Sequence, residues 1–104
     1  MIVQFNTDNN IDGNERLSGY IETQLTEGLS RFSSYITRIE VHLSDENANK
    51  EGKDDKRCLL EARLEGMQPI AVTNHDSTIE QAVNGALDKL KASLDSAIGK
   101  LRQH

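Results

Sequence analysis

Three histidines, one cysteine and two runs of adjacent acids are the residues of this chain whose types could do chemistry. His42, His75 and His104 would serve as metal ligands only with a second ligand about one helical turn away, and no two of them are so spaced. The pairs Asp45-Glu46 and Asp54-Asp55 offer the carboxylates that acid–base work needs. They fall in a stretch without a large apolar side chain, where nothing would hold them to the tolerance that catalysis demands. Cys58 has Arg57 beside it, which favours a thiolate, yet the alternation of its segment turns the sulfur toward the core, so a buried, inert thiol is expected. No Ser or Thr has a neighbouring His–acid arrangement, and no Gly-rich phosphate loop joins a strand to a helix. The reading is a protein that is not an enzyme, with no cofactor, metal or small-molecule substrate.

The elements that would position any other activity are limited by size. A chain of 104 residues makes one domain, 1–104, and buries roughly 60–65% of its unfolded surface on folding. With 36% hydrophobic and 28% charged residues and a mean hydropathy of -0.61, it is too polar for a membrane span and too apolar for wholesale disorder. A single cysteine excludes an internal disulfide or a multi-thiolate metal site and agrees with a reducing compartment. Met1-Ile2-Val3-Gln4-Phe5-Asn6 lacks the basic start and apolar run of a signal peptide, so a cytoplasmic protein without membrane contact is expected. The net charge of -5 has the opposite sign to that of most proteins held by nucleic-acid phosphates.

Periodicity then supplies the elements. Val3 and Phe5 alternate with polar residues as in a half-buried strand. Asp12 and Glu15 form a capping box that opens a helix, whose apolar stripe Leu17, Ile21, Leu25 and Leu29 extends to about Phe32, with Tyr20 and Phe32 beside it. Between Thr37 and Ser44, Ile39, Val41 and Leu43 face one way while Arg38, Glu40 and His42 face the other. Residues 45–56 read as a long, mobile hairpin loop. Cys58, Leu60, Ala62 and Leu64 continue the alternation, Gly66 turns the chain, and Pro69 stands at the start of a fourth strand around Ile70 to Thr73. Ser77 and Glu80 make a second capping box, before the longest stripe in the chain: Ile79, Val83, Ala86, Leu87, Leu90, Leu94, Ile98 and Leu101, with Ala82 and Ala97 on its margin. This helix is expected to run almost to His104. An apolar stripe needs a flat apolar partner, so the fold class is α+β: order β-α-β-β-β-α, a four-stranded sheet with two helices packed on one face.

The order of elements and several segments together resemble the bacterial ribosome hibernation-promoting factor / ribosome-associated inhibitor A family, in its short form, as a diverged member. The segments are Gln4-Phe5-Asn6-Thr7 followed by Asn9-Asn10-Ile11, the helix ending near Phe32 to Ile39, Val41-His42-Leu43, Asn84-Gly85-Ala86-Leu87-Asp88-Lys89-Leu90, and Lys100-Leu101-Arg102-Gln103-His104. The resemblance implies a double-stranded-RNA-binding-domain-like fold. It implies a factor that docks on the small ribosomal subunit, in the channel for messenger and transfer RNA, and blocks translation or stabilises idle ribosomes under stress. It also implies contacts to ribosomal RNA through bases on the outward sides of both helices.

By that resemblance Lys89, Lys100 and Arg102 are basic where the family's last helix is basic, Lys91 adds a neighbouring charge, and Arg16 and Arg31 are the candidates on the first helix. Ala92, Ser96 and Ile98 stand where family members carry bases, and Gln24 and Glu27 where Lys is expected, which roughly halves the cationic footprint. Bases nevertheless outnumber acids at the end of the chain: after Lys89 come Lys91, Lys100 and Arg102 against Asp95 alone. Two functions stay open. One is an RNA-gripping ribosome factor. The other is a protein–protein module without RNA binding, using the acidic first helix on a basic partner, or pairing with itself through an apolar patch centred on Leu59 and Ala71.

Overall fold

The computed structural model describes residues 1–7, 15–45 and 56–102, with side chains as far as residue 100. Alternation in the sequence becomes strands and the stripes become helices: β1 (Ile2–Thr7), α1 (Glu15–Gly28), a 3-10 turn (Ser30–Phe32), β2 (Ile36–Asp45), β3 (Lys56–Leu64), β4 (Ile70–Asp76) and α2 (Ile79–Arg102). The four strands make one sheet in the order β1-β2-β3-β4, parallel between β1 and β2 and antiparallel elsewhere. A parallel neighbour cannot be reached through a tight turn, so α1 lies in the crossover between β1 and β2. Pro69 comes just before the first ladder residue of β4, Ile70, where its missing N–H costs no ladder bond. Gly66 takes a φ of 73° in the preceding turn, a conformation that suits glycine.

One face of the sheet carries Ile39, Val41, Leu43, Cys58, Leu60, Ala62 and Leu64, all buried, with Val3, Phe5, Ile70 and Val72 packed at its margins. Ile21 and Leu25 of α1, Leu29 and Phe32 after it, and Ala82, Val83, Ala86, Leu87, Leu90, Leu94 and Ile98 of α2 close over that face. Ala82 is thus a core residue rather than a marginal one. The opposite face of the sheet keeps its polar residues, as the alternation requires.

Three boundaries and the burial of one residue differ from the periodic reading. The first helix ends at Gly28, and Ser30–Phe32 form a tighter 3-10 turn instead of a last α-turn. Leu29 leaves the helical conformation at φ -107° and ψ 13°, which lets Phe32 turn inward before the chain enters β2. Tyr20 is exposed rather than packed in the core, because the two-helix layer covers the line of Ile21 and Leu25 and not its flank. β4 runs to Asp76, so His75 lies within the strand, paired with Arg57, and not in the turn before α2. The cap of α2 is one residue further on than Ser77: the Gln81 N–H donates to Thr78 Oγ1 at 3.1 Å, and the Ser77 hydroxyl donates to Gln81 Oε1 at 2.9 Å. The Asp12 cap, the 46–55 segment with Glu46, Asp54 and Asp55, and His104 lie outside the described residues. At the base of that hairpin Lys56 Nζ meets Asp45 Oδ2 at 3.1 Å.

Candidate nucleic-acid interface

α2 presents its bases on two flanks. Lys89 and Lys100 are eleven residues apart, about three turns, and share the flank toward β4. Both are exposed, and the Lys89 ammonium donates to the Thr73 carbonyl of β4 at 2.8 Å. Lys91 lies on the other flank: its stem reaches across Gly28, where Leu87 also comes so close that a Cβ on Gly28 would stand 2.8 Å from its Cδ2. Arg102 closes α2, its side chain outside the described residues. Arg16 is exposed in the first turn of α1. The fold therefore spreads the five candidate cations whose side chains are described, Arg16, Arg31, Lys89, Lys91 and Lys100, and does not gather them into one patch.

Arg31 has an acid, an aromatic ring and a cleft around it. Its Nη2 donates to the Asp95 carboxylate of α2, and the guanidinium carbon sits 4.6 Å from the centroid of the Phe32 ring. Both side chains of the ion pair remain largely in water, 64% exposed for Arg31 and 54% for Asp95. Beneath them a cleft of about 240 Å³ is lined by Arg31, Phe32, Tyr35, Asp95, Ile98 and Gly99. The sequence supplied Arg31 and Asp95 separately and had no means of joining them, since they stand 64 residues apart.

The outward face of α1 has the other sign. Glu15, Glu22 and Glu27 are exposed along it, and Gly19, Glu22, Thr23, Thr26 and Glu27 border a shallow depression. The open sheet face is a lattice of paired charges. Arg63 Nε donates to Glu40 Oε2 at 2.9 Å and Arg63 Nη2 meets Glu61 Oε1 at 3.1 Å, while Arg38 Nη2 donates to Glu40 Oε2 at 3.2 Å. The Arg63 hydrogen bond holds the Glu40 carboxyl below the ordinary carboxylate value; desolvation opposes the shift and the Arg38 charge supports it. Leu59 is half-buried and Ala71 exposed on this face, but charged neighbours flank them, and the large exposed hydrophobics are Met1, Ile2 and Tyr20 instead. The apolar patch expected around Leu59 and Ala71 is thus replaced by a charged lattice. The β2–β3 register sets Glu40 opposite Glu61 and Arg38 opposite Arg63, so the like charges across the strands are relieved by the diagonal Arg63–Glu40 contact and by the i, i+2 contacts Arg38–Glu40 and Arg63–Glu61, an arrangement that the sequence shows only once the register is known.

The residues with other chemistry are not assembled. Among the described residues no group of three or more His, Cys, Asp or Glu could hold a metal ion. His42 Nε2 lies 3.8 Å from Glu40 Oε1 on the open face. Cys58 is fully buried, and burial pushes its thiol up to about 12 against the opposing charge of Arg57. Among the described residues no helix is long and apolar enough to cross a membrane.

Comparison with known proteins bears on this arrangement as a whole. Residues 4–102 match the family described as sigma 54 modulation protein / S30EA ribosomal protein. The fold is similar to the crystal structure of the Thermus thermophilus Protein Y N-terminal domain, with a TM-score of 0.74 and 20% identity over 92% of this chain and 98% of that one. It is equally similar to a ribosomal subunit interface protein from Coxiella burnetii, with a TM-score of 0.74 and 19% identity over 95% of this chain and 99% of that one. Among curated proteins nothing matches.

Proposed function

We propose, because this chain belongs to the sigma 54 modulation protein / S30EA ribosomal protein family, that it is a ribosome-associated factor of the cytoplasm. In this reading it is not an enzyme but a 1–104 domain that occupies the RNA-lined channel of the small ribosomal subunit and holds the ribosome idle. The observation that carries it is the family match from residue 4 to residue 102, which begins inside β1 and includes the other described strands and both described helices. Lys89, Lys91, Lys100, Arg102, Arg16 and Arg31 are the residues assigned to ribosomal RNA phosphates. Their dispersal fits a body that touches RNA on several sides inside a channel better than one that binds through a single patch. Screening over roughly 8 Å at physiological ionic strength limits how far the acids of α1 oppose the bases of α2.

The test is co-sedimentation of the full chain with purified small subunits in sucrose gradients at rising salt. The expected result is comigration at low salt that is lost steeply as salt rises, since each phosphate contact adds about 0.7–0.9 to the slope of log affinity against log salt. Recovery at the top of the gradient at every salt concentration overturns the reading. One observation favours a second: the exposed acids Glu15, Glu22 and Glu27 of α1 suit a basic protein surface. A partner bound through α1, with no affinity for RNA, is the outcome that would select it.

A further inference from the structure

We propose that the Arg31–Asp95 pair is an internal stand-in for an RNA phosphate, so that the cleft between the 3-10 turn and the end of α2 is a nucleotide site held closed by Asp95. This inference rests on the reading of the chain as an RNA-binding ribosome factor and names the contact at which that binding is regulated. A guanidinium offers the same planar fork of N–H donors to a carboxylate as to a phosphate. In the unbound protein Asp95 takes one arm of that fork, Nη2. The pair is more than half exposed on both sides, and an exposed ion pair is held weakly enough for a polyanion to displace the carboxylate.

Four further features make the site more than a surface contact. Phe32, buried under the guanidinium, keeps Arg31 presented over its ring after the carboxylate has left. The cleft below gives room for the nucleotide attached to the phosphate, with Tyr35 and Ile98 in its wall as apolar surface. Gly99 leaves that wall open, since a Cβ built on it meets nothing within 4 Å. Lys91, one turn before Asp95 on the same flank, extends the cationic track. When RNA enters, the displaced Asp95 carboxylate stays beside the incoming phosphate and repels it. Asp95 therefore sets a threshold: only RNA that engages the other bases as well gains enough to open the pair. The one acid beyond Lys89 in the sequence thus acts on a candidate cation that has an aromatic ring and a cleft beside it.

The experiment measures affinity and its salt dependence for the full chain with a short fluorescein-labelled single-stranded RNA and, separately, with purified small subunits. Asp95→Asn is expected to tighten RNA binding about five- to ten-fold at physiological salt and to steepen the salt slope by roughly 0.7, the share of one single-strand phosphate. Asp88→Asn, which removes an equal charge from the exposed side of α2, is expected to change affinity less than about two-fold. In the Arg31→Ala background the gain from Asp95→Asn should vanish, which a uniform charge effect would not do. Gly99→Leu, which fills the cleft wall, should weaken binding without lowering the melting temperature. The inference is overturned by a gain that persists without Arg31, by an equal gain from Asp88→Asn, by looser binding of Asp95→Asn, or by unchanged binding of Gly99→Leu. If neither the wild type nor any variant binds RNA or subunits, the functional reading falls and takes this one with it. Wild-type binding without coupling between Arg31 and Asp95 removes this inference alone.

Discussion

Cys58 and Glu40 occupy the two faces of the sheet, and their environments move their protons in opposite directions. The Cys58 thiol is raised from 9.0 to about 12 by burial. In the unfolded chain it ionises above 9.0, and in the folded one it stays neutral until about 12, so over that interval the unfolded state holds fewer protons and stability falls as pH rises. The stability gap between wild type and Cys58→Ala, read from urea melts, should therefore narrow above pH 9, and an aromatic disulfide reagent at pH 8 should react only after denaturant is added. Rapid reaction of the native protein would contradict the burial of the sulfur. Glu40 behaves the other way. Its carboxyl is depressed by Arg63 and Arg38, so it contributes stability above the ordinary value of 4.5 that is lost as pH falls through the lower folded value. Glu40→Gln should be less stable than wild type at neutral pH and converge on it in acid. Arg63 keeps its second partner, Glu61, in that variant, so the loss should be partial.

At the scale of elements, α2 is seated on β4 by a contact that glycine alone permits. Asn74 Nδ2 of β4 donates to the Ala82 carbonyl of α2 at 3.2 Å, and a Cβ on Gly85 would stand 2.1 Å from that nitrogen and 2.7 Å from Asn74 Cγ. Gly85→Ala must push the amide out of its bond, at a cost of about 1–3 kcal/mol, while Asn74→Ala combined with Gly85→Ala should cost less than the two changes taken separately. Gly19→Ala meets open space on α1 and should stabilise by about 1 kcal/mol, which thermal melts would read as a rise of about 4–8 °C. A fall for Gly19→Ala would mean that α1 is not helical there. The elements themselves are legible because period two and period 3.6 are local properties, which is why Ile39, Val41, Leu43, Cys58, Leu60, Ala62 and Leu64 on the strands and Val83, Ala86, Leu87, Leu90, Leu94 and Ile98 on the helix read as core from the sequence and are buried in the fold. What was misplaced depends on distant partners. Ser77-x-x-Glu80 and Thr78-x-x-Gln81 both satisfy the capping pattern, and the choice between them follows from β4 reaching Asp76, which its pairing with Lys56 fixes. Arg31 meeting Asp95 has no local signature at all, so the sequence offered six cations without showing which of them has a cleft beside it.

For the whole molecule the proposed RNA contact has to be reconciled with a net charge of -5, and the fold bears on it by placing acids and bases on different elements. Acids line the outward face of α1, paired charges cover the open sheet, and the bases of α2 stand on its flanks. The two functional readings disagree about what the acidic face of α1 is for. If it is only a residue of divergence from a cationic ancestor-like surface, reversing it should help RNA binding; if it is the docking face for a basic protein, reversing it should destroy function. Glu22→Lys with Glu27→Lys decides between them, since both side chains are exposed and their replacement should leave the melting temperature nearly unchanged. Each substitution moves the net charge two units toward zero and offers RNA a further cation, one of them at the position where the family resemblance leads one to expect Lys. The RNA reading requires the double variant to hold small subunits at salt concentrations that strip off the wild type, with a steeper slope of affinity against salt. The protein reading requires the reverse, a loss of several-fold or more in affinity for whatever α1 docks on, because like charges would then face each other across the contact. Gradients run on both proteins at two salt concentrations separate these results, and weaker subunit binding by the charge-reversed protein would refute the assignment of RNA as its partner.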